Sequence, residues 1–403
     1  MNRIVTKAIN PLKFFISDSR SVGVLLLLCT GFSLLMSNTS SGEWYRSIWN
    51  LDAHTILNLP HSPLKWINDF LMAIFFLLAG MEIKRELISG ELSSFKRAVL
   101  PFGAALGGMV VPALIFMFLN LGTAFTHGWG IPTATDIAFS LGIASLFGKK
   151  VPTSLKIFLM ALAIIDDLGA IIVIALFYGS KVSGGYFILA AILYGLLWLC
   201  NYAKLKPGII QFVLSLLLWY AILNSGIEAS ITGVLVAFAM PVNSLPKLEK
   251  RIHVSVNFFI LPLFALANTA ILIPGDIGVS VNNTIALGII AGLVVGKPVG
   301  IFLFSRILVA FNIAKLPAHI YWKQFLGMGT LAGIGFTMSI FTTTLAFTSE
   351  VHRDMAKIAI LISMILSLAV SWIYFMIINQ TAGQRPLLIS GHSQKLDSGI
   401  AMG

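Results

Sequence analysis

Leu155-Lys-Ile-Phe-Leu-Met-Ala-Leu-Ala-Ile-Ile-Asp166-Asp167-Leu-Gly-Ala-Ile171 sets two neighbouring aspartates in the middle of an apolar run that continues without a further charge to Tyr178. The stretch is long enough to cross a bilayer, for which about 20 residues suffice. A carboxylate at mid-membrane costs about 2.5–3.5 kcal/mol on insertion scales, so a buried acidic pair marks a working site before anything else is known.

The rest of the chain fits a membrane solvent. Of 403 residues, 57% are hydrophobic and only 11% are charged, against about 25% charged in soluble domains. The mean hydropathy is +0.92. Apolar segments recur at 21–37, 65–83, 97–119, 132–147, 153–178, 184–202, 207–224, 227–243, 254–273, 284–305, 325–347 and 355–379. The expected fold is therefore an all-α integral membrane protein of about twelve spans, a single transporter domain over 1–403. Val22–Met36 ends in no small-residue cleavage site and reads as a retained first span rather than a removed signal peptide.

The net charge of +11 would suit nucleic acid if it formed a patch, but the Lys and Arg residues sit in short loops. Alternate loops hold 21 and 5 of them, the richer set including both termini. By the positive-inside rule the N-terminal segment 1–20 and the tail 380–403 are cytoplasmic. No nucleic-acid partner is expected. Cys29 and Cys200 fall inside apolar runs, so neither a disulfide framework nor a metal cluster is indicated, and no cofactor is expected.

Two segments are unlike ordinary spans. The fourth opens with Gly128-Trp-Gly-Ile-Pro-Thr-Ala-Thr-Asp136, in which Pro132 lacks an N–H and Thr133 and Thr135 supply oxygens. The eleventh carries Gly327, Gly329, Gly333 and Gly335 before Phe336-Thr337-Met338-Ser339. Small residues often mean close helix packing. Interrupted helices in both halves, however, are the best sequence pointer to a transporter site built on an inverted repeat, here spans three to five against ten to twelve.

Depth then selects the functional residues. Asp166 lies roughly 15 Å of helical rise beyond Lys156, Asp136 roughly 20 Å before Lys149, and Lys297 roughly 14 Å before Arg306. With Asp167, three spans deliver three carboxylates and one ammonium to one layer near the middle of a core about 30 Å thick. Adjacent helical residues point about 100° apart. One of Asp166 and Asp167 can thus pair with Lys297 while the other faces a water-filled funnel. A structural ion pair accounts for one carboxylate and leaves two unexplained. Carboxylates crowded at low dielectric can hold protons and release them to a cation. Asp and Thr oxygens suit hard cations such as sodium or lithium rather than soft metals.

At these residues the chain resembles the NhaA-type sodium/proton antiporter family. The matching runs are Trp66-Ile-Asn-Asp69, Met81-Glu-Ile-Lys-Arg-Glu-Leu87, Ala134-Thr-Asp-Ile-Ala-Phe139, Leu155–Ile171, Gly296-Lys-Pro298 and Ala332-Gly-Ile-Gly-Phe-Thr-Met-Ser-Ile-Phe341. The resemblance implies a twelve-span antiporter of the bacterial inner membrane that expels sodium or lithium for external protons. It further implies activation at alkaline pH and a homodimer with a hairpin contact within part of Glu43–Leu59. By charge counting, a site that swaps two protons for one cation moves net charge and is electrogenic, which the sequence permits. The family's ion-binding acids correspond to Asp136 and Asp167 with Thr135 beside them, and its acid–lysine pair to Asp166 and Lys297. Its pH-response cluster maps onto Glu82, Arg85, Glu86, Glu249 and His253. Lys250 and Glu228 stand where the family pattern can have His, which leaves the pH midpoint open.

Two rival classes fit less well. An intramembrane aspartic protease needs facing carboxylates, and Asp166 and Asp167 are adjacent on one helix, so Asp136 would have to supply the facing acid. An enzyme that binds a diphosphate through magnesium would need a further acid at helical spacing, and Leu-Gly-Ala after Asp167 offers none. A passive cation channel would use charged rings or carbonyl filters, and a buried lysine beside the acids disfavours it.

Overall fold

The computed structural model describes residues 19–52, 58–148, 151–179, 182–203, 208–273, 282–317 and 320–382. Most of both terminal segments, and Lys149, Lys150, Lys181, Lys204 and Lys206, lie outside the described residues. Among the described residues every regular element is helical. In chain order they are α1 Ser19–Ser37, α2 Gly42–Trp49, α3 Pro63–Ser89, α4 Phe95–Leu119, a 3-10 segment Thr126–Thr133, α5 Ile137–Leu146, α6 Thr153–Phe177 and α7 Gly184–Tyr202. There follow α8 Ile209–Leu223, α9 Ala229–Ala239, α10 Val242–Asn268, α11 Thr284–Ala310, α12 Trp322–Ala332, α13 Phe336–Ala346 and α14 Glu350–Ala382.

Helix falls in each of the twelve expected windows, but the number of crossings is not fixed at twelve. Seven helices among the described residues are long and apolar enough to cross a membrane, or up to nine if each of two bent pairs is one span. The shortfall is physical. At 1.5 Å per residue α9 is only about 16 Å long, and the fourth window is a 3-10 segment, an extended link and a short helix. Within the segment implied to hold a hairpin, Gly42–Trp49 is helical, at 119° to α1, and 53–57 lie outside the described residues.

Glycine sets the tightest packing. A Cβ on Gly107 would meet the Gly300 carbonyl oxygen at 2.2 Å, so α4 and α11 cross backbone to backbone. A Cβ on Gly233 would meet the Ala73 carbonyl oxygen at 1.9 Å, which joins α3 and α9 in the same way. Such contacts are how helices associate when the surroundings are as apolar as their side chains. The faces turned away stay apolar and open, as with Ile188 at 62% and Leu199 at 58% exposed on α7.

A three-part unit of long helix, broken crossing and long helix occurs twice, as α4 to α6 and as α11 to α14. From the alternation of the loops, α4 leaves the face on which α11 ends, so the two units run in opposite senses. The expected inverted repeat is visible in this element order, with both breaks in the layer that holds the charges.

Candidate ion-binding site

The breaks cross each other. Ala134 is extended between the 3-10 segment and α5, and Gly333–Gly335 separate α12 from α13. A Cβ on Gly335 would lie 2.6 Å from the Ala134 carbonyl oxygen, so only glycine allows the two links to touch. The Asp136 N–H donates to the Ile334 carbonyl at 2.8 Å. The Thr135 hydroxyl donates to Ala332 (3.1 Å), Ser140 to Leu331 (2.9 Å) and Ser339 to Ile131 (2.8 Å). Backbone groups orphaned by the breaks are thereby satisfied without lipid or water, a requirement for broken helices in hydrocarbon. Tyr178 braces the 3-10 segment, donating to the His127 carbonyl (2.8 Å) and accepting from the Gly130 N–H (3.0 Å).

Asp136 occupies the positive ends of two half-helices. It caps α5, accepting the Phe139 N–H at 3.0 Å on one carboxylate oxygen. Its other oxygen accepts the Thr337 N–H at 3.0 Å and the Thr337 hydroxyl at 2.6 Å, at the start of α13. An anion is favoured at a helix N-terminus, and two termini here share one. One complementary end receives the cation: the Lys297 ammonium donates to the Thr133 carbonyl, where the 3-10 segment stops. Lys297 is aimed by the π-turn Gly292–Gly296, whose last glycine lies against Pro112, and by Pro298 immediately after it.

The structure resolves which aspartate pairs with the lysine. Lys297 Nζ is 2.8 Å from Asp166 Oδ2, and both side chains are 0% exposed. Asp167 points elsewhere. It is 4% exposed, and its Oδ1 takes no hydrogen bond among the described residues. Asp167 lines a cavity of about 200 Å³ together with Asp136, Thr135 and Thr337. Asp166 and Lys297 do not line it.

The mouth of this cavity carries Glu82, Arg85 and His253. Arg85 pairs with Glu249 and lies 3.4 Å from Glu86, while His253 hydrogen-bonds Asn257 within α10. The five residues expected to respond to pH thus gather at the α3–α10 contact, three of them in the wall of the passage that ends at Asp136 and Asp167. Lys250 is exposed and outside it. Asp69 is also apart: it sits in the π-turn Ile67–Leu71, its carbonyl accepting the Trp219 indole N–H at 2.9 Å.

Thr337 is the site residue that sequence reasoning missed, although it stood in the run after Gly335. The available signal was a hydroxyl one residue inside a helix that restarts after a glycine break, where side-chain and backbone donors converge.

Two helices broken at mid-membrane, crossing end to end with carboxylates at the break, define a secondary transporter for a small ion. The chain belongs to the Na+/H+ antiporter 1 family, which it matches over residues 13–375. It is 47% identical over 374 residues to the Na(+)/H(+) antiporter NhaA 1 of Flavobacterium johnsoniae, covering 91% of this chain and 97% of that one. It is 43% identical over 394 residues to Na(+)/H(+) antiporter NhaA 1 of Clostridium beijerinckii, covering 94% and 98%. A solved structure of the sodium proton antiporter MjNhaP1 from Methanocaldococcus jannaschii overlaps it with a TM-score of 0.47 at 15% identity, over 92% of this chain and 98% of that one. The family is one of transporters, not enzymes.

Proposed function

We propose that this protein expels intracellular sodium, or lithium, in exchange for external protons, with Asp136 and Asp167 as the exchanging carboxylates. The observation that carries this reading is the cavity. It leads from a charged mouth to these two acids alone, while Asp166 is held behind it by Lys297. At about 30 Å³ per molecule its volume admits several waters, enough for a cation to arrive partly hydrated. The cation exchanges that water for carboxylate oxygens, with the hydroxyl oxygens of Thr135 and Thr337 at hand. Both acids give up a proton when it binds and regain one facing the other side. Two protons against one sodium move one net charge per turnover, so the cycle is electrogenic.

Asp136 is suited to alternate between these partners because its lone pairs are already oriented by three donors from α5 and α13. A shift of either half-helix therefore moves the ligand. Lys297 balances Asp166 and the carbonyl end of the 3-10 segment, which keeps the layer from carrying three uncompensated acids. The cluster of Glu82, Arg85, Glu86, Glu249 and His253 adjusts entry with pH. The protein works in the bacterial inner membrane as a homodimer, both termini cytoplasmic, with the outer segment beginning at α2 in the contact.

The test is Asp167→Asn in proteoliposomes. Sodium-driven proton movement should fall at least about 100-fold, the loss of one essential charged partner at about 3 kcal/mol or more, while the melting temperature stays within a few degrees of the parent. Normal exchange by the purified variant would sink the assignment. An imposed potential, negative inside, should accelerate exchange by the parent; a rate that ignores it would leave one proton per sodium as the stoichiometry.

A further inference from the structure

A second large recess lies on the face where α3 ends and α4 begins. It measures about 680 Å³, lies between the first turns of α4 and α6 and the loop that follows α11, and takes no part in the passage above. Its rim is basic, with Lys96, Arg97 and Lys315. One carboxylate shares the rim, Glu91, and it lies 3.5 Å from Arg97. Lys96 and Lys315 form no ion pair among the described residues. The rim therefore keeps a surplus of two positive charges.

Below the rim the lining turns apolar, with Leu100 and Phe158 almost fully buried and Ile157 43% exposed. The change from charge to hydrocarbon follows the helices. Lys96 is in the first turn of α4 and Leu100 one turn deeper, about 6 Å further along the axis. The neighbouring apolar groups are displayed rather than packed: Phe95 is 83%, Phe311 73% and Ile313 56% exposed. Lysine and arginine at span ends reach the headgroup level while their stems lie along apolar surface.

We infer that this recess holds an anionic phospholipid, its phosphate against Lys96, Arg97 and Lys315 and an acyl chain along Leu100, Ile157 and Phe158. A basic pocket between spans at the cytoplasmic side is the arrangement that selects acidic headgroups. A free anion would satisfy the rim but leave the apolar floor unused, and a zwitterionic lipid would satisfy the floor but not the surplus charge. The lipid joins the start of α6, which carries Asp166 and Asp167, to the loop after α11, which carries Lys297. Occupancy should therefore steady the two helices whose ends fix the buried pair.

The experiment uses the full chain purified in a mild detergent and stripped of lipid. Phosphatidylglycerol should raise its melting temperature by several degrees and phosphatidylcholine should not. Lys96→Gln, Arg97→Gln and Lys315→Gln together should weaken phosphatidylglycerol binding by about fivefold per basic residue, roughly 100-fold in all. The same charge change at Lys247, Lys250 and Arg251, on the same face, should leave it intact. Ile157→Trp fills the apolar floor without altering charge, and it should also reduce binding, which keeps the test decisive should the triple variant fold poorly. Equal stabilisation by inorganic phosphate would show an anion site only and overturn the lipid assignment. Equal lipid binding by both triple variants would show general surface attraction and overturn the site.

Discussion

Two pairs of charged groups sit in one layer of this protein, and they are built in opposite ways. Asp166 and Lys297 face each other at 2.8 Å with nothing exposed, and the ammonium makes a second hydrogen bond to the Thr133 carbonyl, while the other Asp166 oxygen has none among the described residues. Asp136 and Asp167 are two like charges at the floor of a passage, one fixed by the ends of two half-helices and one with a free carboxylate oxygen. The first arrangement lowers the energy of charges that must be buried. The second maintains charges that must change partners. A site that exchanges ions needs both, because the field of three carboxylates in one apolar layer has to be offset without closing the passage.

The largest effect expected from breaking this contrast is on stability. Asp166→Asn leaves the Lys297 ammonium buried with only a carbonyl, and Lys297→Gln leaves Asp166 with no cation. Orphaning one member of a buried pair costs about 3–5 kcal/mol. The double change, Asp166→Asn with Lys297→Gln, removes both charges and should recover much of the melting temperature lost by either single variant. A melting series of the three in one detergent decides the matter. Should the double variant melt no higher than the singles, the pair is not a unit, and Asp166 must be counted with the cation ligands.

These assignments were only partly legible in the sequence. Buried acids, the lysine and the two interruptions, one with glycine and proline and one with glycine alone, announce themselves, because each violates what hydrocarbon tolerates. Which of Asp166 and Asp167 meets Lys297 came only from the family resemblance, since depth and charge left both open. Adjacent residues point about 100° apart on the helix, and only the arrangement of α6 and α11 settles which of them the lysine meets. The same limit hid Thr337, whose role depends on α13 restarting opposite α5. In the outer segment Gly42–Trp49 folds as a helix, which the sequence did not signal, and residues 53–57 of the region implied to hold a hairpin lie outside the described residues. Twelve apolar windows do not by themselves fix twelve crossings, for a related reason. Apolar length says a segment is buried, and α9 and the broken fourth segment are buried largely by neighbouring helices.

A change of intermediate size sharpens the comparison at Asp136. Thr337→Val keeps the volume and removes the hydroxyl that donates at 2.6 Å. Hydrogen bonds to charged groups contribute about 1.5–3 kcal/mol. The backbone N–H of residue 337 still donates, so the fold should hold. The concentration of sodium giving half-maximal exchange should rise about 10-fold or more, with the maximal rate less affected. Thr337→Ser should restore much of the affinity, which a purely steric role for Thr337 would not allow.

The smallest effect concerns the mouth of the passage. Glu249→Gln removes one negative charge from the Arg85 contact and leaves Glu86 as the arginine's remaining partner. The mouth becomes more positive by one charge. At a separation of roughly 15 Å and an effective dielectric between 20 and 80, that charge changes the potential at the floor by about 0.3–1 kcal/mol. Sodium affinity should fall about two- to fivefold. A positive mouth repels protons as well as sodium, so the same variant should reach half-maximal activity at lower pH, by some tenths of a unit. Raising the ionic strength should shrink both shifts, since the mouth lies within reach of solvent ions. Lys250→Gln, an exposed neighbour outside the passage, should leave the curve in place. Equal shifts from both variants would make the cluster an ordinary charged surface rather than a part of the path. No shift from Glu249→Gln would place the pH response deeper, at the carboxylates themselves.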